Sequence, residues 1–237
     1  MLSIDEIKSN WETVLNNVRE ACGKSDRNID EVNVIAVSKI QANEMIINAL
    51  NAGISVFGEN YAQELRDKHN TIPEVNGKKP VWHFIGHLQR NKVKYIAPFV
   101  ECIHTVDSFG LAAEISKQAA KHDRVIKCLL QVNTSGEESK SGCEPAALLQ
   151  LVEDTLPIPN IEIEGLMTIG SFSDDESIVR GEFRILRELL EKVNERFPEA
   201  NFKHLSMGMS HDYPWAIEEG ATFVRVGTSL FGPRNYN

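Results

Sequence analysis

The sequence has no block of lysine and arginine long enough to follow a phosphate backbone, and its net charge is −9. A nucleic-acid partner is therefore not expected. No apolar run approaches a membrane span, and the start, Met1-Leu2-Ser3-Ile4-Asp5-Glu6, lacks the basic and apolar regions of a secretion signal. A cytoplasmic protein that enters no membrane is expected. The four cysteines, Cys22, Cys102, Cys128 and Cys143, form no CxxC pair. Without clustering, neither a disulfide scaffold nor a zinc site is indicated, and Cys102 and Cys128 read as small core residues. His83 and His87 stand four apart, but a strand-to-loop segment gives them no common helical face. No H-E-x-x-H is present either, so no metal is expected. Lys39-Ile40-Gln41-Ala42 stands where the Gly-rich turn of a dinucleotide fold would be.

What is present is an alternation. Of the 237 residues, 42% are apolar and 25% charged, enough for a substantial globular core. Ser3-x-x-Glu6 fits a capping box, followed by Ile7, Trp11, Leu15, Val18 and Cys22 at helical spacing. The run Val32–Val37 is β-branched and almost unbroken, as in a strand covered on both faces. Seven more strands are predicted near 54–59, 81–85, 102–107, 126–132, 161–169, 202–206 and 222–226. Helices are predicted between them, including about 89–97 after the third strand, one capped by Ser108, 176–196 and about 212–219. With no composition break or linker, the expectation is an α/β fold, a single (β/α)8 TIM barrel spanning residues 1–237 with an extra N-terminal helix. An open doubly wound sheet is the alternative.

Conspicuous polar residues then fall at the C-terminal strand ends, where barrels of this kind keep their active sites. Lys39 follows the first strand. It is either lifted into water or held where desolvation makes its amine nucleophilic, as in Schiff-base lysines. Asn60 follows the second strand, as a turn residue or a site residue, and His83 lies in the third, as a core histidine or a site residue. Asp107, Asn133 and Met167-Thr168 follow later. Ser206-x-Gly208-x-Ser210 and Gly227-Thr228-Ser229 combine glycines with hydroxyls after strands seven and eight. They read as Gly/Ser turns or as a phosphate cup, and two such loops on adjacent strands favour phosphate. Arg225, between Val224 and Val226, points into the barrel mouth or out beneath a helix. A buried arginine stays charged and needs an acceptor, for which a cofactor ring nitrogen is a candidate. A lysine, a phosphate cup and a ring-nitrogen partner together are what pyridoxal 5′-phosphate requires. Lys140, among serines and glutamates, reads as a solvated loop lysine.

The strings Ala36-Val37-Ser38-Lys39, Phe57-Gly58-Glu59-Asn60-Tyr61, Trp82-His83-Phe84-Ile85-Gly86-His87-Leu88-Gln89 and Ser139-Lys140-Ser141-Gly142 stand in order. So do Gly165-Leu166-Met167-Thr168-Ile169, Leu205-Ser206-Met207-Gly208-Met209-Ser210 and Arg225-Val226-Gly227-Thr228 through Phe231-Gly232. Across nearly the whole chain this resembles the pyridoxal phosphate homeostasis proteins, the YggS-like family. The resemblance implies a fold-type III barrel of the alanine-racemase N-terminal type that binds pyridoxal 5′-phosphate. It implies that Lys39 forms the internal aldimine and that Arg225 meets the pyridine nitrogen. Ser206, Ser210, Gly227 and Thr228 would hold the phosphate, with Asn60, His83 and Met167 lining the cofactor. Arg90, Ser141 and the segment His211-Asp212-Tyr213-Pro214-Trp215 depart from the commonest family strings.

The family is associated with holding and handing on the cofactor in vitamin B6 and amino-acid balance. Apo-enzymes that use the cofactor are the candidate recipients. Fold-matched racemases are implied to need a second acid/base, a tyrosine from an added C-terminal domain. This chain ends at Asn237 directly after the barrel, and its tyrosines are Tyr61, Tyr95, Tyr213 and Tyr236. A non-catalytic carrier, monomeric, is the reading. A weak amino-acid racemase, with loop Tyr213 as a substitute acid, and a Schiff-base aldolase on the same barrel are the alternatives.

Overall fold

Eight short parallel strands pair edge to edge in chain order and close on themselves: β1 (Asn33–Val37), β2 (Val56–Glu59), β3 (Val81–Phe84), β4 (Cys102–Val106), β5 (Ile126–Gln131), β6 (Ile161–Met167), β7 (His204–Met209) and β8 (Phe223–Val226). The computed structural model describes residues 1–137 and 140–233; Ser139 and Tyr236 lie outside the described residues. The barrel is closed by β8 against β1, with Ile35 opposite Arg225. Side chains alternate across the wall with the period of two that a pleated strand imposes. Ile35, Cys102, Leu129, Met167 and Phe223 fill the interior. Ala36, Phe57, Trp82, Phe84 and Ile103 face outward into the larger core beneath the helices.

Those helices are α2 (Asn43–Asn51), α3 (Ala62–Thr71), α4 (Phe109–Ala120), α5 (Leu148–Thr155), α6 (Glu176–Arg196), α7 (Tyr213–Glu218) and α8 (Thr228–Phe231). The extra helix, α1 (Ile4–Lys24), starts in the expected capping box: Ser3 Oγ accepts from the Glu6 amide and Glu6 accepts from the Ser3 amide. It buries Ile7, Val14 and Val18, each worth about 1.5–3 kcal/mol relative to exposure. Two asparagines fix its pose: Asn17 Nδ2 donates to Tyr213 Oη (2.8 Å) and Asn10 Nδ2 to the Leu230 carbonyl (3.0 Å). No helix among the described residues is long and apolar enough to cross a membrane.

Four local expectations are corrected. The segment after β3 forms a 3-10 helix, Arg90–Tyr95, instead of an α-helix over 89–97. Pro98 has no amide to donate, so the ladder is interrupted there, and the chain goes on only in single turns such as Val100 amide to Ile96 carbonyl (2.9 Å). Ser108 is the N-cap residue of α4, its carbonyl accepting from the Ala112 amide (3.1 Å), but its side chain does not cap the helix: the hydroxyl donates to Asp107 instead. Strand β7 runs on through Met207, Gly208 and Met209, which read as loop from their glycine. Gly208 has φ +86°, and a Cβ there would lie 2.5 Å from Ala216 Cβ, so no larger residue fits this turn into α7. Lys140 is not a solvated lysine: its ammonium donates to the Gly170 carbonyl (2.8 Å) and to Glu137 (2.7 Å), tying two rim loops together.

Candidate functional site

A cavity of about 600 Å³ opens at the C-terminal mouth of the barrel, a volume suited to a small organic ligand. Val37, Lys39, Asn60, Ile85, Ile169 and Arg225 line its walls and floor, and Ser210, Gly227, Thr228 and Ser229 form one side. The strand period explains the set. Ile35, Val37 and Lys39 point inward along one strand and its exit, whereas Ala36 and Ser38 point outward. A smaller hollow of about 330 Å³ at the opposite end of the barrel, lined by Glu162, Glu164, Lys203 and His204 among others, contains none of the candidate residues.

Six of the nine candidate residues meet in this cavity: Lys39, Asn60, Ser210, Arg225, Gly227 and Thr228. The other three lie elsewhere. Met167 is buried among Ile35, Cys102, Leu129 and Phe223, and Ser206 and His83 are buried below the cavity floor. Ser206 is linked to the site through Arg225, whose Nη1 donates to Ser206 Oγ (2.8 Å) and whose Nη2 donates to the Thr168 carbonyl (2.9 Å). Burial pulls the Arg225 guanidinium down to about 10, with Asp212 acting in the opposite direction. It remains a cation at neutral pH, with N–H donors beyond these two bonds.

Beneath Ser206 the polar chain continues. His104 Nδ1 lies 2.9 Å from Ser206 Oγ, and His104 Nε2 lies 2.8 Å from His83 Nδ1. Two relays satisfy every link: Ser206 donates to His104 Nδ1 and His104 Nε2–H to His83, or His83 Nδ1–H donates to His104 Nε2 and His104 Nδ1–H to Ser206, whose oxygen can accept from Arg225 as well. Burial, then Lys127 and His204, push His83 down to about 4; burial, then His83 and Arg225, hold His104 well below its ordinary value. Both rings are neutral at pH 7. His83, Cys102 and His104 bring ligand atoms within 4.8 Å of one another, but the histidines are bonded to each other, and Arg225 and Lys127 disfavour another cation.

The strand reading missed His104, although Cys102, His104 and Val106 alternate along β4 and place it inward with Cys102. It also missed the charges beside Lys39. Ser38 Oγ and Lys68 Nζ both donate to Glu59 Oε1 (2.6 and 2.7 Å), on the outer face of the wall beneath α3. Asn60, next along the chain, is positioned by Gly86, where a Cβ would lie 2.3 Å from the Asn60 carbonyl. The Asn60 side-chain oxygen is buried with no partner among the described residues. On the hydroxyl-rich side, Ser210 Oγ accepts from the Gly227 amide (3.0 Å), which locks the two loops together. Asp212 accepts from the Met209 amide, and burial raises its carboxyl despite that bond and Arg225.

None of the described tyrosines lines the cavity. Tyr213 is buried under α1 with its hydroxyl bound to Asn17, and Tyr61 and Tyr95 lie outside the lining.

An inward lysine, a buried arginine and a hydroxyl-rich edge at the mouth of a closed barrel define a class, and the sequence profile of the alanine racemase N-terminal domain matches residues 3–235. The chain belongs to the pyridoxal phosphate homeostasis protein family. A relative of that name from Aquifex aeolicus is 44% identical over 223 residues, 94% of this chain and 96% of its own length. The human one is 38% identical over 231 residues, covering 93% and 84%. Among solved structures, PipY of Synechococcus elongatus with pyridoxal phosphate bound superposes with a TM-score of 0.79 at 32% identity, covering 91% of this chain and all of that one. Alanine racemase of Clostridium difficile shares the fold at a TM-score of 0.72 and 14% identity, this chain matching 59% of its length.

Proposed function

We propose that this chain binds pyridoxal 5′-phosphate in the mouth cavity, as a Schiff base on Lys39, and serves vitamin B6 homeostasis as a carrier. The observation that carries the proposal is the convergence of Lys39, Arg225 and the Ser210/Gly227/Thr228 edge on one cavity. The residues fit the group. The hydroxyls of Ser210 and Thr228 offer donors to a phosphate, Arg225 offers a charged donor to a ring nitrogen, and Asn60 brings a buried oxygen still wanting a partner. Bound pyridoxal phosphate supplies an aldehyde that condenses with amines and a ring that withdraws electrons.

What the protein does with that chemistry follows from its own groups. Arg225, held by Ser206 and Thr168, would donate to the ring nitrogen of the bound cofactor without protonating it, and would so leave the ring a weaker electron sink. Racemisation needs an acid/base on each face of the substrate carbon. Lys39 serves one face; no described tyrosine lines the cavity, and the other titratable side chains there, His211 and Asp212, are engaged with Asp174 and with the Met209 amide. The geometry therefore favours retention over turnover. We place the protein in the cytoplasm as a monomer, with cofactor-dependent apo-enzymes as recipients.

Borohydride reduction of the protein loaded with pyridoxal phosphate, followed by peptide mapping, tests this. The pyridoxyl mass is expected on Lys39, and Lys39→Ala is expected to lose the visible absorbance. A pyridoxyl group on another lysine, or sustained turnover of a common amino acid by the unaltered chain, would overturn it.

A further inference from the structure

Lys39 sits in a turn with an uncommon backbone. Ser38 accepts from the Gln41 amide (3.0 Å), and Ile40 has φ +65°. A β-branched residue in the left-handed region is a genuine outlier and persists only where its surroundings over-determine it. Ile40 is substantially exposed, so packing does not hold it there. A hydrogen-bonded charge cluster does. The Ile40 amide donates to Glu64 Oε1 (2.6 Å). The Lys68 ammonium, almost fully buried, directs its three donors to the Ser38 carbonyl (2.7 Å), Glu59 Oε1 (2.7 Å) and Glu64 Oε1 (2.6 Å). Ser38 is held further by its hydroxyl on Glu59 and its amide on the Gly58 carbonyl. The residue before Lys39 and the residue after it are thus pinned from one side of the wall. The Lys39 side chain leaves toward the other.

We propose that Lys68, with Glu59 and Glu64, is a positioning device for the Lys39 amine: it fixes the strained Ser38–Ile40 turn and so sets how fast Lys39 condenses with an aldehyde. A buried lysine–glutamate pair is weak evidence of a stability gain, since an apolar replacement is often as good. Its placement astride one functional residue is better accounted for by geometry, in the way supporting shells orient ligating side chains. The identity of the aldehyde rests on the function proposed above; the positioning of Lys39 does not.

The experiment compares the unaltered chain with Glu64→Ala, Glu64→Gln, Ile40→Asn and the double variant Glu64→Ala/Ile40→Asn. Three readouts are taken: hydrogen exchange at the Ile40 amide, the rate of Lys39 labelling by formaldehyde with cyanoborohydride, and the rate of pyridoxal phosphate uptake. In Glu64→Ala, exchange at Ile40 rises and both Lys39 rates fall by roughly tenfold to a hundredfold, while thermal unfolding changes little. Glu64→Gln keeps an acceptor oxygen and stays near the unaltered rates. Asparagine tolerates the left-handed region, so Ile40→Asn restores most of the loss in the Glu64→Ala background. Unchanged Ile40 exchange or unchanged labelling in Glu64→Ala overturns the proposal. So does a loss that Ile40→Asn fails to rescue. If pyridoxal phosphate reacts at another lysine while formaldehyde labelling of Lys39 still follows Glu64, the cofactor assignment falls and the positioning device stands.

Discussion

Two polar clusters are buried on opposite faces of the same barrel wall, and each supports one residue of the cavity with different chemistry. Outside, beneath α3, the Lys68 ammonium lies 2.7 Å from Glu59 and 2.6 Å from Glu64 beside the Lys39 turn. Inside, below Arg225, Ser206, His104 and His83 form a chain of neutral groups. Counter-ions make the difference. The outer cluster contains both signs, so its ammonium stays paired, although desolvation of Glu59 outweighs the opposing effect of Lys68 and raises its carboxyl. Arg225 acts on His104, and half-exposed Lys127, from the end of the barrel, acts on His83, so a further cation there would be repelled as well as desolvated. Partners of opposite sign are built into the outer cluster and are missing beside the two inner histidines.

The comparison breaks most directly at Lys68. Lys68→Met leaves Glu59 and Glu64 without their cation, and a loss of about 3–5 kcal/mol is expected in urea unfolding. That loss should shrink as the pH falls and Glu59 takes up a proton. A loss below about 1 kcal/mol would mean the outer cluster is not held by charge.

The inner chain predicts the next effect, through pH. His83 titrates near 4 when folded and near 6.5 when unfolded. Between those values the unfolded chain binds the extra proton, so stability present above about pH 6.5 declines as the pH falls toward 4. The decline attributable to His83 is on the order of 3 kcal/mol. His83→Gln should flatten that part of the profile; an unchanged slope would remove His83 from the neutral chain.

Ser206→Ala should have the smallest effect. It takes one partner from Arg225 and one from His104, a loss of about 1–3 kcal/mol by thermal or chemical unfolding. Cofactor uptake should fall in parallel, since Arg225 would then be held by the Thr168 carbonyl alone among the two bonds described. Unaltered stability would show that Arg225 does not depend on this link.

Several parts of this arrangement were legible in the chain. The apolar runs and their separations announced eight strands, and Lys39, Asn60, Ser210, Arg225, Gly227 and Thr228 were picked out by their places after those runs. His83 and Met167 were picked out as cofactor-lining by family likeness, yet the structure puts both deeper than the cavity wall. A strand's alternation says inward or outward but not how far down a residue sits, and depth is set by the stagger of neighbouring strands, such as the register shifts between β4 and β5 and between β7 and β8. Lys140 was misread for a related reason: one of its two acceptors, the Gly170 carbonyl, is thirty residues away.

Hydrophobic periodicity and turn chemistry marked out eight strands alternating with helices and put the candidate residues at the C-terminal strand ends, because both are local properties of the sequence. Only the closed tertiary structure decided which buried groups stay charged. That depends on which residues meet across the wall: Lys68 with Ser38 and Glu59, and His104 with Ser206, 102 positions further along the chain. Charge in a low-dielectric interior is settled by neighbours in space, and the barrel supplies them.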